Sequence, residues 1–160
     1  MALIVETGTV VSGANSYVSL ADAQAIIDAR GYEVTLTEGL LLRAMDVLDG
    51  VRFSGEKTSS TNPLAWPRAG VFDSEGFEIP ISSVPNDVVK AQSWIAYYIS
   101  QGNDPSAVST PEIVSETADV IKTEYAVSVG MTTAVSILSL PNVRNALSGL
   151  IAGRGLIDRA

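Results

Sequence analysis

The chain has 160 residues and a net charge of −8, with 46% hydrophobic and only 18% charged residues. That is enough for one domain with its own core, too apolar for a disordered tail, and less charged than the roughly 25% usual for soluble domains. With no cysteine and no histidine, disulfides, Cys/His metal sites and every triad or dyad built on those residues are excluded.

An acidic chain is a poor candidate for wrapping nucleic acid, because affinity there comes mainly from Lys and Arg on phosphates. The charge is uneven. It nets −5 over residues 1–50, +2 over 51–70, −7 over 71–141 and +2 over 142–160. No segment reaches the ~18 apolar residues of a membrane span. Met1-Ala2-Leu3-Ile4-Val5-Glu6 lacks the basic start of a secretory signal. A soluble protein made in the cytoplasm, with no membrane partner, is expected.

In chain order, residues 2–11 are β-rich and predict a short strand or extended arm, followed by a turn at 12–16. Ser19 with Asp22 three residues on forms a capping box with Asp in place of Glu. It opens a helix over about 20–30, with Leu20, Ala23 and Ile27 as its stripe, ended by Gly31. Thr37 caps a second helix over about 38–49, apolar at Leu41, Ala44, Met45 and Leu48. Residues 51–83 hold no helical period and many Gly and Pro. They predict a long ordered loop, with a small hairpin around Asp73-Ser74-Glu75-Gly76.

Pro85 suits the first position of a third helix reaching about Gln101. Its line Val88, Gln92, Ile95, Ile99 and its aromatics Trp94, Tyr97 and Tyr98 predict a central place in the core. Residues 103–112 are a linker. From Thr117 to Val129 the pattern alternates, as in a half-buried antiparallel strand paired with Ile113–Glu116. Residues 130–139 are ambiguous. Pro141 opens a last helix, about 142–152, before Gly153 and Gly155. The expected fold is mainly α: a compact bundle of about four helices with a long ordered loop and a small antiparallel β-hairpin. Residues 1–152 form the domain and 153–160 a tail.

The candidate chemistry is thin. Asp46 with Asp49, and Asp73 with Glu75 and Glu78, read as solvated acids rather than acid–base pairs, which need a pocket and shifted pKa values. Asp73-Ser74-Glu75-Gly76 lacks the oxygen series of a calcium loop. Ser54-Gly55-Glu56-Lys57-Thr58 has one glycine where a phosphate loop needs G-x-x-x-x-G-K-[ST]. No enzyme, metal or cofactor is expected. Basic and aromatic residues interleave in one place, Arg52, Phe53, Lys57, Trp66 and Arg68, where rings could stack bases. The other reading makes Trp66 a packing plug and pairs Arg68 with an acid of the second helix. The last segment either docks on its own core or inserts Leu156 and Ile157 into a partner, with Arg154 and Arg159 pairing acids.

Asn15-Ser16-Tyr17-Val18-Ser19-Leu20-Ala21-Asp22-Ala23 resembles the opening of the tailed-phage head–tail connector adaptors, a family often labelled DnaT-like single-stranded-DNA-binding protein. Ala44 to Gly50, Phe53-Ser54-Gly55, Leu64-Ala65-Trp66-Pro67-Arg68-Ala69-Gly70-Val71, Val84 to Ala91 and the region 115–125 match in order over roughly residues 14–152. The resemblance implies a structural virion protein at the head–tail junction. Such adaptors form a homo-oligomeric ring, commonly dodecameric. The ring sits below the portal protein, passes double-stranded DNA without tight binding and carries the next tail or head-completion protein. In that role Leu150, Ile151, Arg154, Leu156, Ile157 and Arg159 would dock on the portal, and Ile121, Lys122, Glu124 and Tyr125 would join the ring. The alternative, a single-stranded-DNA-binding module, would act through Arg52, Phe53, Lys57, Trp66 and Arg68.

Overall fold

The computed structural model describes residues 2–105 and 139–152. The expected strands over 113–129, the ambiguous stretch before Ser139 and the tail 153–160 lie outside the described residues. What is described is mainly helical: α1 (Leu20–Asp28), α2 (Glu38–Asp49), α3 (Asn86–Ser100) and α4 (Pro141–Leu147), with one two-stranded antiparallel sheet.

The first two helices start where local chemistry dictates. Ser19 Oγ accepts the Asp22 N–H at 3.1 Å and donates to the Asp22 carboxylate at 2.6 Å. Thr37 Oγ1 accepts the Leu40 N–H at 3.4 Å. Each side chain satisfies an amide that a helix leaves unpaired at its first turn. Ala23 and Ile27 of α1, and Leu41, Ala44, Met45, Val47 and Leu48 of α2, are buried.

All three other helices pack on α3. Val88, Gln92, Ile95 and Ile99 are buried along it, as the spacing predicts. Gln92 is the exceptional member, a polar side chain with no exposure. Its Oε1 accepts the Tyr17 N–H at 2.9 Å; its Nε2 donates to Ser16 Oγ at 2.8 Å and to the Leu41 carbonyl at 3.1 Å. One amide thus ties the entry to α1 and the body of α2 to α3.

Three local expectations need correction. Pro85 is the N-cap of α3, in extended conformation, so the helix begins one residue later. The last helix stops at Leu147, because Leu150 turns back to give its carbonyl to Ser54 N–H at 2.8 Å. Residues 2–11 form no strand beyond a single parallel bridge between Val5 and Ser16. The arm instead wraps the buried carboxylate of Glu6, which accepts the amides of Gly8, Val10 and Val11 at 2.8–3.1 Å. Those three bonds replace the water a charge loses on burial. Gly8, at φ +103°, lies so close to Ser82 that a Cβ would fall 2.2 Å from its carbonyl oxygen.

The connection from α2 to α3 is ordered as expected. β1 (Glu56–Lys57) pairs antiparallel with β2 (Arg68–Ala69), Glu56 opposite Ala69. The predicted hairpin is present, with Phe72 bridged to Glu78 and the Asp73 carboxylate accepting the Glu75 and Phe77 amides at 2.9 Å.

Replacing Gln92 with Leu should leave the buried Tyr17 N–H without its acceptor and take from Ser16 Oγ and the Leu41 carbonyl the donor that ties them to α3. A loss on the order of 3 kcal/mol is expected, read as a lower denaturant midpoint at unchanged slope.

Candidate functional site

The loop from Val51 to Gly70 carries the cationic and aromatic residues singled out in the sequence, and the structure sorts them into two groups. Phe53 is 5% exposed and Trp66 0%. Their rings meet edge to face, with centroids 5.7 Å apart. Trp66 N–H donates to the Tyr17 hydroxyl at 3.1 Å. Burial pushes the Tyr17 hydroxyl far above its ordinary pKa, so it stays protonated. The Trp66 indole N–H has no hydrogen-bond partner. Both rings are core, and the packing-plug reading of Trp66 holds.

Arg68 is half-buried and does not pair with an acid of α2. Its guanidinium clamps the loop's own backbone, donating to Ser54 O at 2.6 Å, Ala65 O at 3.2 Å and Phe53 O at 3.3 Å, and also to Gly55 O. The planar fork reaches several carbonyls at once, which a lysine ammonium cannot match. Gly55 makes the approach of the two strands possible, since a Cβ there would sit 2.2 Å from the Ala69 carbonyl oxygen.

Arg52 and Lys57 remain exposed. With Asp49, Pro63, Arg68 and others they line an open cleft of about 500 Å³. Partial desolvation, with the Asp46 carboxylate adding to it, raises the Asp49 pKa; Lys57 pulls it back. A raised carboxyl contributes stability only while protonated, so stability falls as pH rises through that raised value.

Leu150 and Ile151, expected on a docking surface, sit beside this loop. Leu150 is 4% exposed and belongs to the core. Ile151 is half-buried and bridges antiparallel to Phe53, while Ala152 N–H donates to the Arg52 carbonyl at 3.0 Å. Among the remaining expected docking and ring residues, Arg154, Leu156, Ile157, Arg159, Ile121, Lys122, Glu124 and Tyr125 lie outside the described residues.

Sequence reading passed over the exposed apolar side chains. Phe72, Phe77 and Ile81 are 54%, 67% and 57% exposed. They stand on the hairpin among Asp73, Glu75 and Glu78, with no cation between residues 71 and 83. The available signal was two phenylalanines in a glycine-bearing acidic turn, too short for any periodicity. A second aromatic group, Tyr32, Trp94, Tyr97 and Tyr98, is knit by mutual ring contacts. Its neighbouring cation Arg30 lies 5.7 Å over the Trp94 ring and donates to the Ile26 carbonyl. Among the described residues, no group of three or more acidic, His or Cys side chains is placed to hold a metal ion.

The fold and this loop define a small helical module whose basic-aromatic segment is part of its own architecture. The chain belongs to the family described as "Putative DnaT-like ssDNA binding protein", whose model matches residues 1–159. No curated protein and no solved structure gave a match.

Trp66→Ala should destabilise by roughly 3–5 kcal/mol in equilibrium denaturation. Trp66→Phe should lose less than half of that, since the indole N–H makes no bond to forfeit. Asp49→Asn should raise the melting temperature near about pH 7 and leave it unchanged near about pH 3, where the carboxyl is protonated in both folded and unfolded chains. A gain at both pH values would place the effect elsewhere.

Proposed function

We propose that the chain is a structural, protein-contacting subunit without catalytic activity, and on the resemblance of residues 14–152 a head–tail connector adaptor of a tailed phage. In that role copies assemble as a ring below the portal, extend the DNA channel and present a platform for tail attachment. One observation carries the preference. The exposed phenylalanines of the hairpin stand among acids, whereas at the basic loop both aromatic rings are inside. Single-strand binding without sequence preference combines phosphate-facing cations with rings free to stack on bases. Protein docking asks only for exposed apolar side chains with a charged rim. The net charge of −8 also suits a channel through which DNA slides, because phosphates are not gripped.

The second reading, a DnaT-like single-stranded-DNA-binding module, is favoured by the family match itself, which speaks for it more directly than for the connector role. On this structure it would rest on the exposed Arg52 and Lys57 alone in the loop, since Phe53, Trp66 and Arg68 serve the fold.

The two separate in solution. Native mass spectrometry of the chain, alone and with a portal protein, should show a ring or a portal-bound assembly. Fluorescence anisotropy with a labelled oligothymidine should show no submicromolar binding at about 0.15 M salt. Tight binding that survives this salt and is lost in Arg52→Ala/Lys57→Ala would establish the second reading instead.

A further inference from the structure

The hairpin and the cleft of the basic loop are complementary surfaces on one chain. Phe72, Phe77 and Ile81 are more than half exposed, and no cation stands between residues 71 and 83. The Asp73 carboxylate is spent on the Glu75 and Phe77 amides, which leaves the exposed Glu75 and Glu78 as the charges offered outward. The cleft has the opposite character. Arg52, Lys57 and Arg68 line it with Asp49 as the single acid, and Pro63 and Ala65 add apolar wall. Arg68 is committed to backbone carbonyls. Arg52 is exposed, and Lys57 makes only a 3.4 Å bond to the Asn62 carbonyl, so both can turn to carboxylates. A volume of about 500 Å³ admits one phenyl ring with a carboxylate beside it.

The two surfaces do not meet within one chain. The hairpin is fixed where it stands: Ile79 N–H donates to the Val71 carbonyl at 2.8 Å and Asp73 N–H to the Phe77 carbonyl at 2.9 Å, and Ser82 just beyond abuts Gly8. Among the described residues nothing covers its apolar side chains or fills the cleft. A second copy brings the missing half of each. A hairpin held this firmly also loses little conformational freedom on docking.

We propose that the hairpin of one copy docks in the basic cleft of a second copy, with Phe77 entering the cleft and Glu75 and Glu78 meeting Arg52 and Lys57. The contact rests on the homo-oligomeric part of the reading above and names the surfaces that join the copies. Hairpin and cleft are different patches, so the contact is heterologous, and repeated from copy to copy it closes a ring where the rotation allows. Each contact can be small, because in a closed ring every subunit is held on two sides.

Charge exchange in the full chain tests this. Glu75→Lys/Glu78→Lys makes the hairpin basic, and Arg52→Glu/Lys57→Glu makes the cleft acidic. Sedimentation velocity of the unaltered chain, between micromolar and millimolar concentration, should show self-association. Each variant alone should associate at least ~10-fold more weakly, since its hairpin and cleft now carry the same sign. An equimolar mixture of the two should recover the assembly of the unaltered chain, because each hairpin then finds a cleft of opposite sign. Net charge alone gives a different result: the hairpin variant moves from −8 to −4 and would associate more readily. A misfolded variant would not be rescued by mixing. Self-association that persists unchanged in both variants overturns the proposal and leaves the ring reading standing on other surfaces. An unaltered chain that stays monomeric throughout also overturns it and leaves the hairpin to a different protein. Recovery in the mixture that stops at two subunits upholds the contact and removes the ring.

Discussion

The buried amide of Gln92 is the constraint on which the rest of this fold hangs. Apolar packing alone would let α1 and α2 slide along α3, since hydrophobic burial has no preferred register. A fully buried amide cannot slide, because its donor and acceptor sites must be filled in a low-dielectric interior. Gln92 fills them with Tyr17, Ser16 and Leu41, which sets the entry of α1 and the height of α2 together. Tyr17 passes the constraint on: its N–H is held by Gln92 while its hydroxyl accepts Trp66 N–H. The loop between α2 and α3 is thereby anchored to the same point.

That anchoring explains why a loop with so little regular structure is ordered. Trp66 and Phe53 extend the core into it, and the Arg68 guanidinium closes it by satisfying backbone carbonyls that strand pairing leaves over. Ser54 and Arg52 then offer their backbone groups to Leu150 and Ala152, drawing the end of the described chain alongside. Three of the five residues that look most like a nucleic-acid surface, Phe53, Trp66 and Arg68, are consumed by this architecture, while Arg52 and Lys57 stay exposed. Exposed apolar surface is left on the hairpin instead, in an acidic setting.

What could be read in advance follows the range of the interaction. Ser19 with Asp22, Thr37, the stripe of α2 and the Asp73 turn all act over three or four residues, so their partners are written beside them. The four helices and the ordered loop were therefore legible. Helix ends were less so. α4 stops at Leu147 because a distant amide, Ser54 N–H, takes the Leu150 carbonyl, and nothing adjacent to Leu150 signals that.

Sequence by itself determined the helical class, the caps, the central place of α3 and, through the absence of His and Cys, that no site here is built on those two residues. Tertiary structure alone decided the fate of particular polar groups. Glu6, to which the sequence assigns no structural role, is a buried anchor. Arg68 reads as a phosphate or carboxylate partner and is a backbone clamp. The physical reason is shared. A charged or polar side chain has the same composition whether water or protein satisfies it, and only the fold decides which partner reaches it first.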